Sequence, residues 1–252
     1  MHIKNIGIII LILLLLIYII PKVLYGHNIT EFFADNIIDY YDYNVYNPIG
    51  SICIIGSVHG NEPIGFVALT NLINNRYFND ISKKHNINIR IIPCPNKYGI
   101  KNNTRYMPNV LYPDINRNFR AEKGVEPVSQ TIIDLTKNYD LVIDLHEGWG
   151  FHRINKESVG STLSPGRTNK SIKLAEIANI NVNKLISEPL KKFLVLYERS
   201  CEIPNTLACH REMNKKHYIL IETSGQGNLQ PIEIRTQQMS NIIDSIINNY
   251  KN

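Results

Sequence analysis

The chain changes character within Ser51-Ile52-Cys53-Ile54-Ile55-Gly56-Ser57-Val58-His59-Gly60-Asn61-Glu62. The run from Ile52 to Ile55 is continuously apolar, which is typical of a strand buried on both faces of an α/β sheet. Ligands of open α/β sheets bind beyond the carboxyl ends of the strands, so His59 and Glu62 lie where chemistry is expected. A histidine and a carboxylate at this spacing predict half of a metal site, and a third ligand must come from elsewhere in the chain.

Composition excludes one class of partner before any motif is considered. The chain has 252 residues and a net charge of +5, without a dense run of lysine and arginine or a basic stripe interleaved with aromatic residues. Nucleic acid is therefore not an expected partner. The length suits one sizeable domain with an ample core, which we assign to residues 27–252.

Residues 1–26 form a separate N-terminal segment. Its residues 6–20 are almost entirely isoleucine and leucine, and Lys4 and Lys22 flank this run. About 15 helical residues span roughly 23 Å, and bilayer thinning and snorkelling lysines can absorb the mismatch to a hydrocarbon core of roughly 30 Å. We expect a single-pass membrane anchor, with the main domain in a lumen or outside the cell. The alternatives are a cleaved signal peptide of a secreted protein and a buried helix of the domain.

The four cysteines do not decide whether the domain is in an oxidising or a reducing compartment. Cys201 and Cys209 share a loop-like stretch, so a disulfide between them is plausible in an oxidising compartment. Cys53 and Cys94 lie in strand-like runs and are expected to pack as buried thiols.

Strand-like and helix-like stretches alternate after a predicted linker over residues 21–46. The predicted strands cover residues 52–55, 87–92, 141–145 and 218–221, and the predicted helices cover residues 62–75, 130–138, 171–178 and 232–250. Such alternation is typical of a largely parallel sheet with helices on both faces. The predicted fold class is therefore α/β.

A second histidine follows another predicted strand. In Leu141-Val142-Ile143-Asp144-Leu145-His146, the histidine takes the place at the strand end that His59 takes after the first strand. His59, Glu62 and His146 are therefore the predicted metal ligands, and such a set leaves a position open for water, as in catalytic zinc sites. Asp144 shares a face with His146 and either fixes its imidazole or makes an ordinary strand-end hydrogen bond.

A third predicted strand is also followed by a side chain that can act in a metal site. Glu222 comes directly after the apolar run Tyr218-Ile219-Leu220-Ile221. Bound zinc lowers the pKa of water toward about 7, so that a neighbouring carboxylate can take the proton. We predict Glu222 as this general base. Glu147 is the rival, but in a continued strand it points away from His146.

Two arginines lie in the segment 96–119, where we expect substrate recognition. Within Asp114-Ile115-Asn116-Arg117-Asn118-Phe119, a guanidinium follows an amide. The planar fork of arginine matches a carboxylate, so Asn116 and Arg117 are predicted to bind a carboxylate of the substrate. Arg105 is a second cation that can face a developing oxyanion. The alternative is that both arginines are surface or ion-pair residues.

Taken together, the motifs resemble those of a known family. They are His59-Gly60-Asn61-Glu62, the segment from Pro95-Asn96 to Arg105, Asp114-Ile115-Asn116-Arg117-Asn118-Phe119, Asp144-Leu145-His146 and Glu222. In this order they resemble the zinc hydrolases of the succinylglutamate desuccinylase/aspartoacylase family, which is related to zinc carboxypeptidases of the carboxypeptidase A type. The resemblance extends over residues 51–230.

The resemblance implies a fold and a set of roles. The fold would be a three-layer, zinc carboxypeptidase-like architecture, in which a mixed, mostly parallel sheet lies between helices. One Zn²⁺ ion would be held by His59, Glu62 and His146, with Glu222 as the catalytic base. Arg105 would polarise the scissile carbonyl, and Asn116 and Arg117 would hold the substrate carboxylate.

The expected function is hydrolysis of an amide bond next to a carboxylate, in a small acylated amino acid or peptide. A deacylase of the desuccinylase/aspartoacylase kind is expected first, and a metallocarboxypeptidase that removes C-terminal residues is the alternative. A membrane-tethered protein that binds carboxylates without turnover also stays open. A purely structural zinc site is disfavoured, because three ligands and an open position are the wrong arrangement for one.

Two further expectations concern the pocket. The carboxypeptidase branch uses a mobile tyrosine over its site, and Tyr197 is a candidate for it. Residues 144–165, which include Glu147, Trp149, His152 and Arg153, are expected to shape the pocket.

Overall fold

The computed structural model describes residues 37–108, 110–197 and 201–251. A compact unit extends over Ile38–Asn252. The predicted anchor or signal segment, residues 1–26, lies outside the described residues. Among the helices that are described, none has both the length and the apolar character needed to cross a bilayer.

A mixed sheet forms the centre of the fold. Its strands in the described residues are β1 (Tyr41–Tyr43), β2 (Ser51–Gly56), β3 (Asn88–Ile92), β4 (Leu141–Gly148), β5 (Thr162–Pro165), β6 (Leu194–Val195) and β7 (His217–Ser224). Their order across the sheet is β1-β3-β2-β4-β7-β5-β6. β3, β2, β4 and β7 run parallel to one another, whereas β1 and β5 pair antiparallel with β3 and β7. The predicted mixed, mostly parallel sheet is confirmed.

Helices cover both faces of this sheet. They are α1 (Ile64–Asn74), α2 (Tyr77–His85), α3 (Lys97–Asn102), α4 (Pro127–Thr136), α5 (Asn169–Val182), α6 (Leu207–Met213) and α7 (Ile232–Asn248). α1, α5 and α7 pack on the face that receives Ile52 and Ile54 of β2. α4 and α6 cover the opposite face, which receives Cys53 and Ile55. Since successive strand side chains point to opposite faces, the apolar run of β2 serves both cores, and the three-layer prediction is confirmed.

The middle of the sheet brings three strand ends together. β2 and β4 pair in parallel, with Gly56 opposite Leu145. β4 pairs in turn with β7, with His146 opposite Glu222. Every residue of β4 is buried. The carboxyl ends of these parallel strands therefore meet at one edge, where ligands of such sheets bind.

Several short elements differ from the predictions. β1 lies inside the segment expected to be a linker, and an ion pair between Asp42 of β1 and Arg90 of β3 fixes it to the sheet. A strand of three residues is too short to show periodicity. β5 was not predicted, because it is short and ends in Pro165. Proline is tolerated at this position, since β6 pairs only with the first two residues of β5. Glu222 lies within β7, which continues to Ser224, rather than after it.

The cysteines follow the predictions. Cys201 and Cys209 form a disulfide, and Cys53 and Cys94 are buried free thiols. Burial raises the pKa of the Cys94 thiol to about 12, so this thiol stays protonated and unreactive at neutral pH.

Candidate active site

Three side chains converge at the carboxyl ends of β2 and β4. His59, Glu62 and His146 are buried, and each offers a metal-ligand atom within 4.8 Å of the other two. The Nδ1 nitrogens of the two histidines lie 3.1 Å apart. The Glu62 carboxylate lies 3.0 Å from His59 Nδ1 and 2.8 Å from His146 Nδ1. The structure thus brings together the three predicted metal ligands.

The far nitrogen of each imidazole faces another carboxylate. His59 Nε2 lies 3.1 Å from Asp114 Oδ1, and His146 Nε2 lies 3.2 Å from Asp144 Oδ1. Tyr218 donates its hydroxyl to Asp144 Oδ2 at 2.7 Å. A carboxylate behind a metal-binding histidine fixes the ring orientation and raises its basicity. Asp144 therefore lies beside His146 and also accepts a hydrogen bond from Tyr218, and its role stays a prediction.

The turn that carries His59 and Glu62 is held by close packing. The hydroxyl of Ser57 donates to the Glu62 carbonyl at 3.0 Å. A Cβ atom at Gly60 would overlap the backbone of Gly99 at the start of α3, so this position requires glycine. The backbone conformation of the turn from Ser57 to Glu62 is therefore fixed by contacts that do not involve the side chains of His59 and Glu62.

Burial and charge oppose each other in the ligand cluster. Burial disfavours ionisation of Glu62, but the imidazoles of His59 and His146 outweigh it and hold the pKa of this carboxyl below its usual range. Burial likewise disfavours a charged His146, yet the carboxylates of Asp144 and Glu62 raise its pKa well above the usual value. The cluster therefore favours a positive charge between its members, which a metal cation supplies when the imidazoles are deprotonated.

Glu222 faces this cluster from β7. It lies opposite His146 in the strand register, and its Oε2 is buried without a hydrogen-bond partner among the described residues. Burial is the main cause that raises the pKa of this carboxyl well above its usual value; His146 opposes the shift, and Glu62 and Asp144 add to it. A carboxylate with a raised pKa is suited to proton transfer near neutral pH.

Glu147, the rival for this role, is occupied elsewhere. It points away from its neighbour His146, as expected for adjacent strand residues. One oxygen forms an ion pair with Arg235 of α7, and the other accepts the amide of Ile64 at the start of α1 at 3.0 Å. A carboxylate held in this way ties two helices to β4. Its placement agrees with the prediction of Glu222 as the base.

The ligand cluster opens into a cavity of about 300 Å³. Besides the three ligands and Glu222, its lining consists of Arg105, Asn116, Arg117, Glu147, Trp149, Val159, Ser164, Glu202, Ile203, Thr206, Ala208, Tyr218, Leu220 and Gln226. All predicted site residues therefore border one space, and the role of each remains a prediction.

Asn116 and Arg117 reach this cavity from a short 3₁₀ turn, Ile115–Arg117. The side chain of Asp114 caps the turn by accepting the Asn116 amide at 2.9 Å. Asn116 Oδ1 accepts the amide of Leu207 at 2.9 Å, which leaves its Nδ2 group for the cavity. Arg117 Nη1 donates to the Asn116 carbonyl at 2.7 Å. The amide and the guanidinium are thus side by side, as recognition of a carboxylate requires.

Arg105 lies between the ligand cluster and solvent. Its Nη1 donates to Glu62 Oε1 at 3.0 Å, and its Nε donates to Asp114 Oδ2 at 3.1 Å. Neither contact uses Nη2, and the predicted contact of Arg105 with a substrate oxygen stays a prediction.

Other residues expected at the pocket lie elsewhere. Tyr197 donates its hydroxyl to Glu176 of α5 at 2.8 Å and does not border the cavity. His152 and Arg153 bond to nearby backbone carbonyls. Glu147 and Trp149 do border the cavity, and Trp149 is half exposed.

Two residues at the ligand cluster were not predicted. Asp114 is the first residue of the motif that supplied Asn116 and Arg117, and this position was the available signal. Gln226 donates its Nε2 to Glu62 Oε1 at 3.0 Å. It is flanked by two glycines after β7, a local signal for a backbone constrained by close packing.

The donor set fits a divalent metal ion. Two imidazole nitrogens and one carboxylate match the ligand types and number of catalytic zinc sites, in which a fourth position stays open. Each imidazole also has the carboxylate behind it that such ligands use. The geometry therefore supports a metal site at His59, Glu62 and His146.

Solved structures with a similar fold include Csd4, a cell shape determinant protein from Helicobacter pylori. Its product-bound form is 20% identical with a TM-score of 0.66, and the match covers 85% of this chain and 55% of that chain. The mDAP-bound form, described as a D,L-carboxypeptidase, is 19% identical with a TM-score of 0.65, over 84% and 54% of the two chains. The present chain thus spans about half the length of Csd4. A candidate metallopeptidase from Shewanella denitrificans is 15% identical with a TM-score of 0.62, over 83% and 78%.

The similar structures show the fold. A family model in addition matches the part of the sequence that contains the candidate ligands. No curated protein matches the sequence. The model described as the succinylglutamate desuccinylase/aspartoacylase catalytic domain matches residues 48–155, which include all three candidate ligands. The family and the similar structures carry the names of hydrolases, in agreement with the predicted enzyme class. The predicted resemblance to the succinylglutamate desuccinylase/aspartoacylase family is therefore confirmed over residues 48–155.

Proposed function

We propose that this protein is a zinc-dependent hydrolase that cleaves a carbon–nitrogen bond next to a carboxylate. One observation carries the proposal. A single cavity combines a His₂Glu ligand cluster, a buried carboxylate oxygen without a partner, and an amide beside a guanidinium. Together they supply a metal site, a base and a substrate anchor, which are the parts such a reaction requires.

The metal would be held by the Nδ1 atoms of His59 and His146 and by the carboxylate of Glu62. When bound there, zinc would polarise the carbonyl of the substrate and lower the pKa of a water toward about 7. Asp114 accepts the Nε2–H group of His59, and the Asp144 carboxylate lies 3.2 Å from His146 Nε2, so each ring has a carboxylate on its Nε2 side and would present Nδ1 to the metal.

Glu222 is the group that moves the proton. Its Oε2 takes a proton from water in the cavity and later delivers it to the leaving nitrogen, so one carboxylate acts first as base and then as acid. The burial that raises its pKa also makes it a competent acid in the second step. The neighbouring Glu147 cannot substitute, because Arg235 holds its carboxylate on the other side of β4.

Substrate binding is divided between two places in the cavity. Arg117 and the Nδ2 group of Asn116 bind the carboxylate of the substrate, in which the guanidinium supplies a charge-assisted pair. Arg105 Nη2 donates to the carbonyl oxygen as negative charge develops on it. A substrate with a carboxylate near its scissile amide bridges these two places.

We assign the substrate to small acylated amino acids or short peptides with a free carboxylate. The family match favours deacylation of an acylamino acid. A specific alternative is removal of a C-terminal residue, which is supported by the structural likeness to a protein described as a D,L-carboxypeptidase.

The test is hydrolysis by the purified full chain, loaded with zinc, of N-acyl amino acids and of peptides with free or blocked C-termini. Release of an amino acid from the N-acyl set identifies a deacylase. Cleavage confined to peptides with free C-termini identifies a carboxypeptidase. Zinc-dependent binding of these compounds without turnover would contradict the proposal and leave a carboxylate-binding protein.

We also propose that residues 1–26 tether the domain to a membrane, with the domain in a lumen or outside the cell. The disulfide between Cys201 and Cys209 supports an oxidising compartment. In fractionated cells, we expect the full chain to stay in the membrane pellet after an alkaline carbonate wash. Recovery of a shortened chain from the medium would favour a secreted protein instead.

A further inference from the structure

Gln226 connects the end of β7 to the ligand cluster. It opens a 3₁₀ turn, Gln226–Asn228, that follows β7. Its Nε2 group donates to Glu62 Oε1 at 3.0 Å and to the carbonyl of Glu147 at 2.5 Å. A single amide group therefore bridges a candidate metal ligand and the backbone of β4.

The backbone around Gln226 is built for this placement. The amide of Gly225 donates to the Gly148 carbonyl at 3.1 Å, which carries the hydrogen bonding between β4 and β7 past the end of β7. A Cβ atom at Gly225 would collide with the Glu147 carboxylate and with Arg235. Only glycine lets the chain pass this close to the buried ion pair, and the next residue then reaches Glu62.

The Glu62 carboxylate needs such orientation because several groups compete for it. Arg105 Nη1 and His59 Nδ1 lie 3.0 Å from Oε1, and His146 Nδ1 lies 2.8 Å from Oε2. The Glu147 amide donates to Oε2 at 3.2 Å. Arg105, whose side chain is partly exposed, thus shares Oε1 with His59 and Gln226.

We propose that Gln226 is a positioning residue that holds Glu62 in the orientation required to ligate the metal. With the Glu147 amide, it fixes the carboxylate from both oxygens, and because Arg105 also donates to Oε1, the remaining acceptor site is on Oε2, the oxygen nearest His146 Nδ1. Groups that support a ligand in this way typically contribute 10- to 100-fold to metal affinity. The inference rests on the proposed function, because it requires the cluster to bind a metal.

The test is zinc affinity of the full chain, measured by competition with a chromophoric chelator. Gln226→Met keeps the length of the side chain and removes its donor, and we expect zinc to bind about 10- to 100-fold more weakly. Gln226→Glu directs a carboxylate at Glu62, and we expect a larger loss. Gln237→Met, at an exposed position of α7, is the matched control and should bind zinc as the parent does.

Two readouts separate positioning from a general effect on folding. Without metal, the far-ultraviolet circular dichroism spectrum should be the same for Gln226→Met and the parent, although the two lost hydrogen bonds lower the unfolding temperature of the variant. The visible spectrum of the Co²⁺-loaded protein should change in Gln226→Met and not in Gln237→Met, because the ligand geometry differs. Should Gln226→Met fail to fold, Gln226→Glu provides the same comparison of affinity and spectrum.

The outcomes distinguish this inference from the proposed function. A parent protein that binds no zinc stoichiometrically would overturn both. A parent that binds and hydrolyses, with Gln226→Met or Gln226→Glu equal to it in affinity and Co²⁺ spectrum, would overturn only the role of Gln226.

Discussion

Glu222 differs from the other carboxylates around the cavity. Glu62, Asp114 and Asp144 accept hydrogen bonds from histidine, arginine or tyrosine side chains. Glu222 Oε2 accepts none within the described residues, although it is buried. Burying a polar atom without a partner costs free energy, and perturbed groups of this kind concentrate at functional sites. The cost is understandable if Oε2 is the atom that exchanges protons with the substrate.

Glu222→Gln should separate metal binding from turnover. The amide has the same shape but cannot take a proton, so we expect turnover to fall by about 100-fold or more. Metal content, measured by elemental analysis, should stay equal to that of the parent. Glu233→Gln, at an exposed position of α7, is the control and should keep full activity. An unchanged rate in Glu222→Gln would remove the base assignment.

Arg117→Ala should weaken capture of the substrate rather than the chemical step. A lost charge-assisted hydrogen bond amounts to about 1.5–3 kcal/mol, which is a loss of about 10- to 150-fold in kcat/KM. The loss should appear in KM and should vanish for substrates whose carboxylate is blocked. Arg120→Ala removes an exposed arginine of the same segment and serves as the control. Equal losses on free and blocked substrates would contradict the role of Arg117.

That two ligands and the predicted base lie at one edge of the sheet was predictable, because each follows an apolar run. His59, His146 and Glu222 are at the carboxyl ends of parallel strands, and these ends share an edge; their close approach also requires the neighbouring order β2-β4-β7, which the pattern does not give. Asp114 behind His59 was not predicted, because a loop without periodicity carries it there. Gln226 was missed for the same reason, since no apolar pattern predicts where a residue in a turn will point.

Elements are joined around the site by a buried ion pair. Arg235 of α7 and Glu147 of β4 pair within the protein, and Glu147 also accepts the amide of Ile64 at the start of α1. Burial raises the pKa of Glu147 above its usual value although Arg235 opposes this. Two helices and the central strand therefore share one carboxylate. The helices themselves were predicted from their apolar faces, but the pair was not, because its partners lie 88 residues apart.

Arg235→Met should destabilise the fold strongly. It leaves the Glu147 charge buried without a partner, and breaking a buried pair in this way costs about 3–5 kcal/mol. Adding Glu147→Gln to Arg235→Met removes the uncompensated charge and keeps an acceptor for Ile64. We therefore expect urea unfolding to show the double variant as more stable than Arg235→Met. A double variant that is no more stable would mean that Glu147 is not charged in the folded protein.

At the scale of the whole molecule, the three-layer arrangement follows from the alternation of strand and helix patterns, and it was predicted. The short elements were not, because β1, β6 and α6 are too short to carry a period. They matter nonetheless, since α6 and the loop before it, joined by the Cys201–Cys209 disulfide, supply Ile203, Thr206 and Ala208 to the cavity. The wall of the cavity was therefore less predictable than its ligand cluster.

Zinc should stabilise the entire domain. A ligand that binds only the folded state, at 100 times its Kd, adds about 2.7 kcal/mol to the free energy of unfolding. For a domain of this size, that raises the unfolding temperature by roughly 5–10 °C, at about 2–4 °C per kcal/mol. Calorimetry should show this rise for the parent and not for His146→Asn. A rise of the same size in His146→Asn would place the metal elsewhere.

The ligand cluster also has a consequence for the order in which the chain folds. His59 and Glu62 are three residues apart, whereas Glu62 and His146 are separated by 84 residues. The first pair can form within a local turn, but the third ligand arrives only when β4 has docked beside β2, which requires closure of a long loop. During refolding, metal uptake should therefore lag behind helix formation seen by circular dichroism. The rate of metal uptake would thus report the rate at which β4 docks beside β2.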